Sequence, residues 1–193
     1  RFDNRFDNRF DEVVVAMPPA QAARLLGDTI PGALEVLGRA TFRPRWTAMI
    51  GIEAPVDLPF DAATVEDQPI LAWLARESGK PGRPTAPPES WVVHARGDWS
   101  EPRLEVNRDE IADELFDAFA GLVDGLGLTV PETRELRGHR WTFALCERAL
   151  DTPHWRDDRA GFTLCGDWLL GAGIEHAFLS GTSAAEVVLD HAP

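Results

Sequence analysis

Cys165-Gly166-Asp167-Trp168-Leu169-Leu170-Gly171-Ala172-Gly173-Ile174-Glu175-His176-Ala177-Phe178-Leu179-Ser180-Gly181 is the stretch whose reading decides the fold. Phe162 to Cys165 predicts a strand, and a carboxylate stands at its C-terminal edge. Glycines then let backbone approach a ligand before a helix, about Ile174 to Leu189, opens with its N–H groups free. The helical period predicts an inner face of Ala177, Phe178, Gly181, Ala185 and Val188. An Asp just past such a strand can accept from a ribityl or ribose hydroxyl, and a helix N-terminus carries about half a positive charge that stabilises an anion. Gly-Asp is equally at home in an ordinary structural turn, and spacing alone leaves both readings open.

The start of the chain reads as another strand, one that needs neighbours on both sides. Val13-Val14-Val15-Ala16-Met17, closed by Pro18-Pro19, predicts a strand buried on both faces of a parallel sheet, followed by a helix from Ala20 to Leu26 stopped by Gly27. The middle reads as strands with alternating faces. Trp46, Ala48, Ile50 and Ile52 share one side, Trp91, Val93 and Ala95 do the same, and Leu71 to Arg76 is a third strand. The segments 79–84 and 85–89 are too rich in proline and glycine for regular structure. Asn107 predicts an N-cap with Glu110 completing a capping-box pair, ahead of a stripe of Ile111, Leu115, Phe119 and Leu122 that ends at Gly125. From Thr133 to Leu145 a long strand sets His139, Trp141, Phe143 and Leu145 on one face and Arg140 on the other.

Composition narrows the classes of function. The 193 residues carry 32 acidic and 19 basic side chains, a formal charge of −13, so a phosphate backbone would be repelled and nucleic-acid binding is not expected. There is no tyrosine to take part in catalysis, and Lys80 is the only lysine. Cys146 and Cys165 form no CxxC pair, which predicts buried thiols in a reducing, cytoplasmic setting. No apolar run reaches the ~20 residues of a membrane span. The five histidines have no HxH or HxxxH spacing, so no metal site is expected. No G-x-S-x-G elbow marks a serine hydrolase. His139, Trp141 and Trp91 are candidates to line a pocket, with a packing role as the plainer reading of each.

Beyond single motifs, the chain resembles the renalase-like flavin amine oxidases of bacteria. The resemblance runs through Phe10-Asp11-Glu12-Val13-Val14-Val15-Ala16-Met17-Pro18, Trp46-Thr47-Ala48-Met49, Pro59-Phe60-Asp61-Ala62-Ala63 and Ser78-Gly79-Lys80-Pro81-Gly82-Arg83. It continues in Ser90-Trp91-Val92-Val93-His94-Ala95, Asp98-Trp99-Ser100, Gly138-His139-Arg140-Trp141 and the 166–181 segment, covering nearly all of residues 10 to 190. The resemblance implies an FAD-dependent oxidoreductase passing hydride from a reduced nicotinamide-like or amine substrate to the flavin, with oxygen as later acceptor. It implies Asp167 as the flavin-contacting carboxylate, with Gly166, Trp168, Gly173, Ile174 and Glu175 beside the ring. His176 departs from the pattern, where relatives often carry glycine.

No GxGxxG follows an early strand, so the unit that would hold the ADP half of FAD is missing and FAD binding by this chain alone is expected to be weak or absent. Arg1-Phe2-Asp3-Asn4 and its repeats stand where that unit should be. The expected architecture is α+β: a predominantly antiparallel sheet with flanking helices, joined to remnant strands and a C-terminal helix of a Rossmann-like FAD domain. Its divisions are a tail at 1–12, FAD-domain pieces at 13–30 and 161–193, and a substrate domain at 31–160. Bare, the strands at Val13 and Phe162 would expose apolar surface and open edges, so a second copy, a rearranged chain or the missing FAD-binding half is expected to cover them. The alternative is a non-enzymatic domain keeping the substrate-domain fold, acting as an interaction module or oligomer.

Overall fold

The computed structural model describes residues 10–84 and 87–191. Residues 1–9 of the tetrapeptide tail, and 85–86 of the proline-rich segment, lie outside the described residues. In chain order the strands are β1 (Val13–Val15), β2 (Thr41–Ile52), β3 (Ala62–Thr64), β4 (Leu71–Arg76), β5 (Glu89–Ala95), β6 (Thr133–Arg148), β7 (Trp155–Asp157) and β8 (Phe162–Leu164). The helices are α1 (Pro19–Leu26), α2 (Pro31–Leu37), α3 (Gly97–Ser100), α4 (Arg108–Gly125), α5 (Asp167–Leu170) and α6 (Ile174–His191). Two compact units result, one of Arg1–Phe42 with Leu145–Pro193, the other of Arg43–Ala144. Ala33 and Leu37 of α2, with Cys146 and Trp155, pack into the first unit's core.

In the first unit β8 is the middle strand, parallel to β1 and antiparallel to β7, with Val13 opposite Phe162 and Val15 opposite Leu164. The predicted parallel pairing is present, but burial on both faces is not. Val13 and Val14 are 40% and 47% exposed, since β1 is an outer strand, whereas Phe162 in the middle strand is buried. Glu12 clamps this edge, its two oxygens accepting from Arg156 Nη2 and Nη1 at 2.7 and 2.8 Å. Gly27 closes α1, the stop predicted from the sequence, at a φ of 51 that favours glycine.

The closing helix turns the other face inward. Ser180 and Ala184 are its buried residues, while Ile174 and Phe178 are 91% and 70% exposed. The reason is polar. Where β8 ends, the Gly166 N–H and the Pro153 carbonyl need partners, and Ser180 Oγ accepts from the first at 2.8 Å and donates to the second at 2.6 Å. Ser183 adds a 2.9 Å bond to His154 Nδ1. Backbone groups that must be satisfied outrank the helix's apolar stripe in setting its rotation.

The second unit is built on the sheet β3-β4-β5-β2-β6. β2 and β5 pair antiparallel with Ala48 opposite Val93 and Ile50 opposite Trp91, as the alternation requires. Trp46, Ala48, Ile50, Ile52, Trp91, Val93 and Ala95 are buried on one face, where Ile111, Leu115 and Phe119 of α4 join them in one core. Burial of such side chains stabilises by about 1.5–3 kcal/mol each. Asn107 caps α4, its Oδ1 accepting from the Asp109 N–H at 2.8 Å. Gly138 of β6 meets the Arg108 carbonyl where a Cβ would stand, so the strand can cross the helix start only as glycine.

Candidate functional site

The first unit presents the turn that the sequence singled out. β8 ends at Leu164, and Gly166 follows at φ 151, a conformation open essentially to glycine. Its Cα lies against Trp168, so that a Cβ would stand 2.5 Å from Nε1 and 2.7 Å from Cδ1 of that indole. Asp167 opens α5, a short helix absent from the sequence expectation, and its Oδ1 accepts from the Trp168 N–H at 2.9 Å. Trp168 Nε1 is buried without a hydrogen-bond partner. Gly171 and Gly173 also have positive φ, 157 and 128, and the His176 ring folds back over Gly171 with Nδ1 3.1 Å from the Ala172 oxygen. Ile174 and Glu175 begin α6 in the open. The turn therefore holds Gly166, Asp167, Trp168, Gly173, Ile174 and Glu175 at one strand end, with an imidazole laid across the glycines.

This donor set fits the ring end of a flavin. A partly exposed carboxylate can accept from a ribityl hydroxyl and an 18-residue helix starts beside it, while the His176 imidazole lies where a flat ring would meet Gly171 and Gly173. For the pyrophosphate end the sequence offers no glycine-rich loop. The thiols nearby are not reactive centres: Cys146 and Cys165 are buried, and burial pushes both pKa values up.

The second unit leaves the opposite face of its sheet open. Met49 and Gly51 of β2, Ser90 and Val92 of β5, and Glu135 and Arg137 of β6 line a groove of about 720 Å³, walled by Glu77, Arg83, Pro84 and Pro88. Strand alternation carries that face on from Arg137 to His139 and Trp141, whose rings meet edge-on at 4.4 Å. Trp141 is 50% exposed. Trp91 adds to the groove lining while its side chain is fully buried, Nε1 donating to Glu89 Oε1 at 2.7 Å and its ring tilted on Phe119.

The same face carries Arg45, Thr47 and His94, to which sequence reading gave no site role, beside Trp73, which with Trp46, Trp91 and Trp141 could equally be a substrate wall or core. Thr47 and His94 are direct cross-strand partners, and Thr47 Oγ1 lies 2.8 Å from His94 Nδ1. Trp73, opposite His94 on β4, tilts over the imidazole at 5.1 Å between ring centroids. Arg45 stands two residues before Thr47 on the same face of β2, half-buried. Burial, then the charges of Arg45 and Lys80, hold His94 down to about 4 against the opposing pull of Glu77. The imidazole is neutral at physiological pH. The signal was available in the alternation of β2, where 45, 47, 49 and 51 face away from the tryptophan core. Among the described residues no group of three or more His, Cys, Asp or Glu side chains could hold a metal ion, and no helix is long and apolar enough to cross a membrane.

An antiparallel sheet roofed by a helix on one face, with flanking helices, and a small mixed sheet ending in a Gly-Asp turn define the substrate-domain class of FAD-dependent oxidoreductase fold. A crystal structure from Exiguobacterium sp. 255-15, provisionally named a protoporphyrinogen oxidase, has the same fold at a TM-score of 0.60 and 18% identity. The match covers 94% of this chain and 42% of that one. The sequence matches the flavin containing amine oxidoreductase family over residues 1–189, and the chain belongs to that family.

Proposed function

We propose that this chain works as part of an FAD-dependent, renalase-like oxidoreductase, in a cytoplasmic setting, with a small-molecule substrate held on the open sheet face. The observation that carries the reading is the end of β8, where a glycine at φ 151, the Asp167 carboxylate and the start of α6 come together. Gly166, Asp167, Trp168, Gly173, Ile174 and Glu175 would hold the flavin. When bound, a flavin supplies the two-electron acceptor for a hydride leaving a reduced nicotinamide-like or amine substrate. The chain's own part is to orient, stabilise charge and exclude water. Asp167 would accept from a hydroxyl of the cofactor, and the α6 amides would favour negative charge at the ring. A hydride transfer arranged in this way requires no dedicated acid or base in this chain.

The chain spans 42% of the length of its structural relative, and the exposed Ile174 and Phe178 on α6, with Val13 and Val14 on β1, offer apolar surface for a partner. The remaining FAD-binding part of such an enzyme, or a second copy, is the proposed cover. That same surface favours a second reading, an interaction module without redox chemistry. Titrating the purified chain with FAD and following flavin fluorescence separates the two. Weak, saturable quenching that Asp167→Ala abolishes supports the flavin reading. A flavin signal unaltered by the chain supports the module, and the mass of the intact species then reports whether copies associate.

A further inference from the structure

We propose that Arg45, Thr47, His94 and Trp73 form a binding site for the carboxylate of a flat-ringed acid that carries its hydride on a reduced carbon, which is the substrate class of the open sheet face, with aromatic acids as its probes. The inference deepens the reading above, resting on its placement of the substrate on this face.

Arg45 is the starting point. Among the described residues, the other arginines that are not fully exposed each face a carboxylate: Arg76 faces Asp61 and Glu89, Arg96 faces Asp98, Arg103 faces Glu114, Arg140 faces Glu105 and Arg156 faces Glu12. Among the described residues Arg45 has no such partner, and burial lowers its pKa. A half-buried charge is costly without a counter-ion, and a guanidinium fork matches a carboxylate with two parallel hydrogen bonds. The anion is therefore expected from outside the described chain.

Its surroundings select what that anion is attached to. Thr47 fixes one imidazole nitrogen of His94 at 2.8 Å, so that with the hydroxyl donating to Nδ1 the proton sits on Nε2, a second donor. Trp73 tilts at 34° over that ring, and Met49, His139 and Trp141 extend the same face with apolar and aromatic area. The groove alongside is about 720 Å³, ample for one small ring system. A fork, a neutral donor and a flat aromatic wall in one place suit a ring bearing a carboxylate better than a free amine, which Arg45 would repel.

The test uses the full chain without flavin. Benzoate, nicotinate and the matching neutral amides, benzamide and nicotinamide, are titrated while the His94 ring signals are followed by NMR. Saturable shifts with the acids, at affinities roughly tenfold or more above those of the amides, are expected, a difference of about 1.4 kcal/mol. Arg45→Gln should erase the preference for acid over amide and leave amide affinity unchanged, while Arg24→Gln, exposed on α1, should alter neither. Equal affinity for acid and amide, or no saturation by either acid, overturns the proposal. The acid-amide comparison on the unaltered chain decides even if Arg45→Gln does not fold. Because no FAD is present, the acid-amide comparison is read independently of the flavin titration, so failure of either reading is seen without the other.

Discussion

Replacing Gly166 by alanine probes the turn on which the functional reading rests. Two costs add. At φ 151 and ψ 163 the backbone lies in a region essentially reserved for glycine, and an alanine held there costs about 1–3 kcal/mol. The new Cβ would also stand 2.5 Å from Trp168 Nε1 and 2.7 Å from Cδ1, and Trp168 is fully buried and cannot swing into solvent. Forcing extra volume into such a packed site costs a further ~1–3 kcal/mol. The expected total is about 2–6 kcal/mol. Gly27→Ala is the matched control in the same unit: its φ of 51 is also left-handed, but nothing lies within 4 Å of the new methyl, so only the backbone cost of about 1–3 kcal/mol applies. Urea unfolding of both variants, followed by circular dichroism, gives the difference. If Gly166→Ala is no more destabilising than Gly27→Ala, Trp168 does not press on the turn and the described packing of the strand end is wrong.

Other expectations can be checked on the same material. His94 should stay neutral down to about pH 4, because burial and the Arg45 charge oppose protonation. Its depressed value means the unfolded chain takes up the proton first, so stability is complete above about 6.5 and declines as pH falls towards about 4. Half-protonation of the His94 ring near 6.5 in an NMR titration would refute this. Glu89→Ala should cost about 2–5 kcal/mol in urea unfolding, since the buried Val56 N–H and Trp91 Nε1 both lose Oε1 as acceptor, whereas Glu89→Gln keeps an oxygen there and should cost less than half as much. Cys146 and Cys165 should react with iodoacetamide only after unfolding, and rapid labelling of the native chain would contradict their burial. Phe178→Glu should alter unfolding free energy by no more than about 0.5 kcal/mol, because the ring is exposed in this chain. A core-sized loss would place that ring inside.

Local chemistry made much of the fold legible. Alternation in β2 and β5 is a property of the chain itself: with side chains on opposite faces, Trp46, Ala48 and Ile50 could only go to one side, and they form the core. Asn107 and Gly27 act within one turn of backbone, so their capping was readable without any knowledge of neighbours. The Gly-Asp turn was legible for the same reason, and so were the residues that surround it.

Tertiary structure decided what depends on distant partners. Which face of α6 turns inward was settled by the Gly166 N–H and the Pro153 carbonyl, whose need for Ser180 no helical periodicity records. Exposure of Val13 and Val14 followed from the place of β1 at the edge of its sheet. Thr47, His94 and Trp73 come from three strands and meet only because β4 and β2 flank β5 in a particular register. Sequence determines what each residue can do within its own turn or pleat, while pairing across tens of residues, and the unpaired charge it leaves on an open face, exists only once the sheet is assembled.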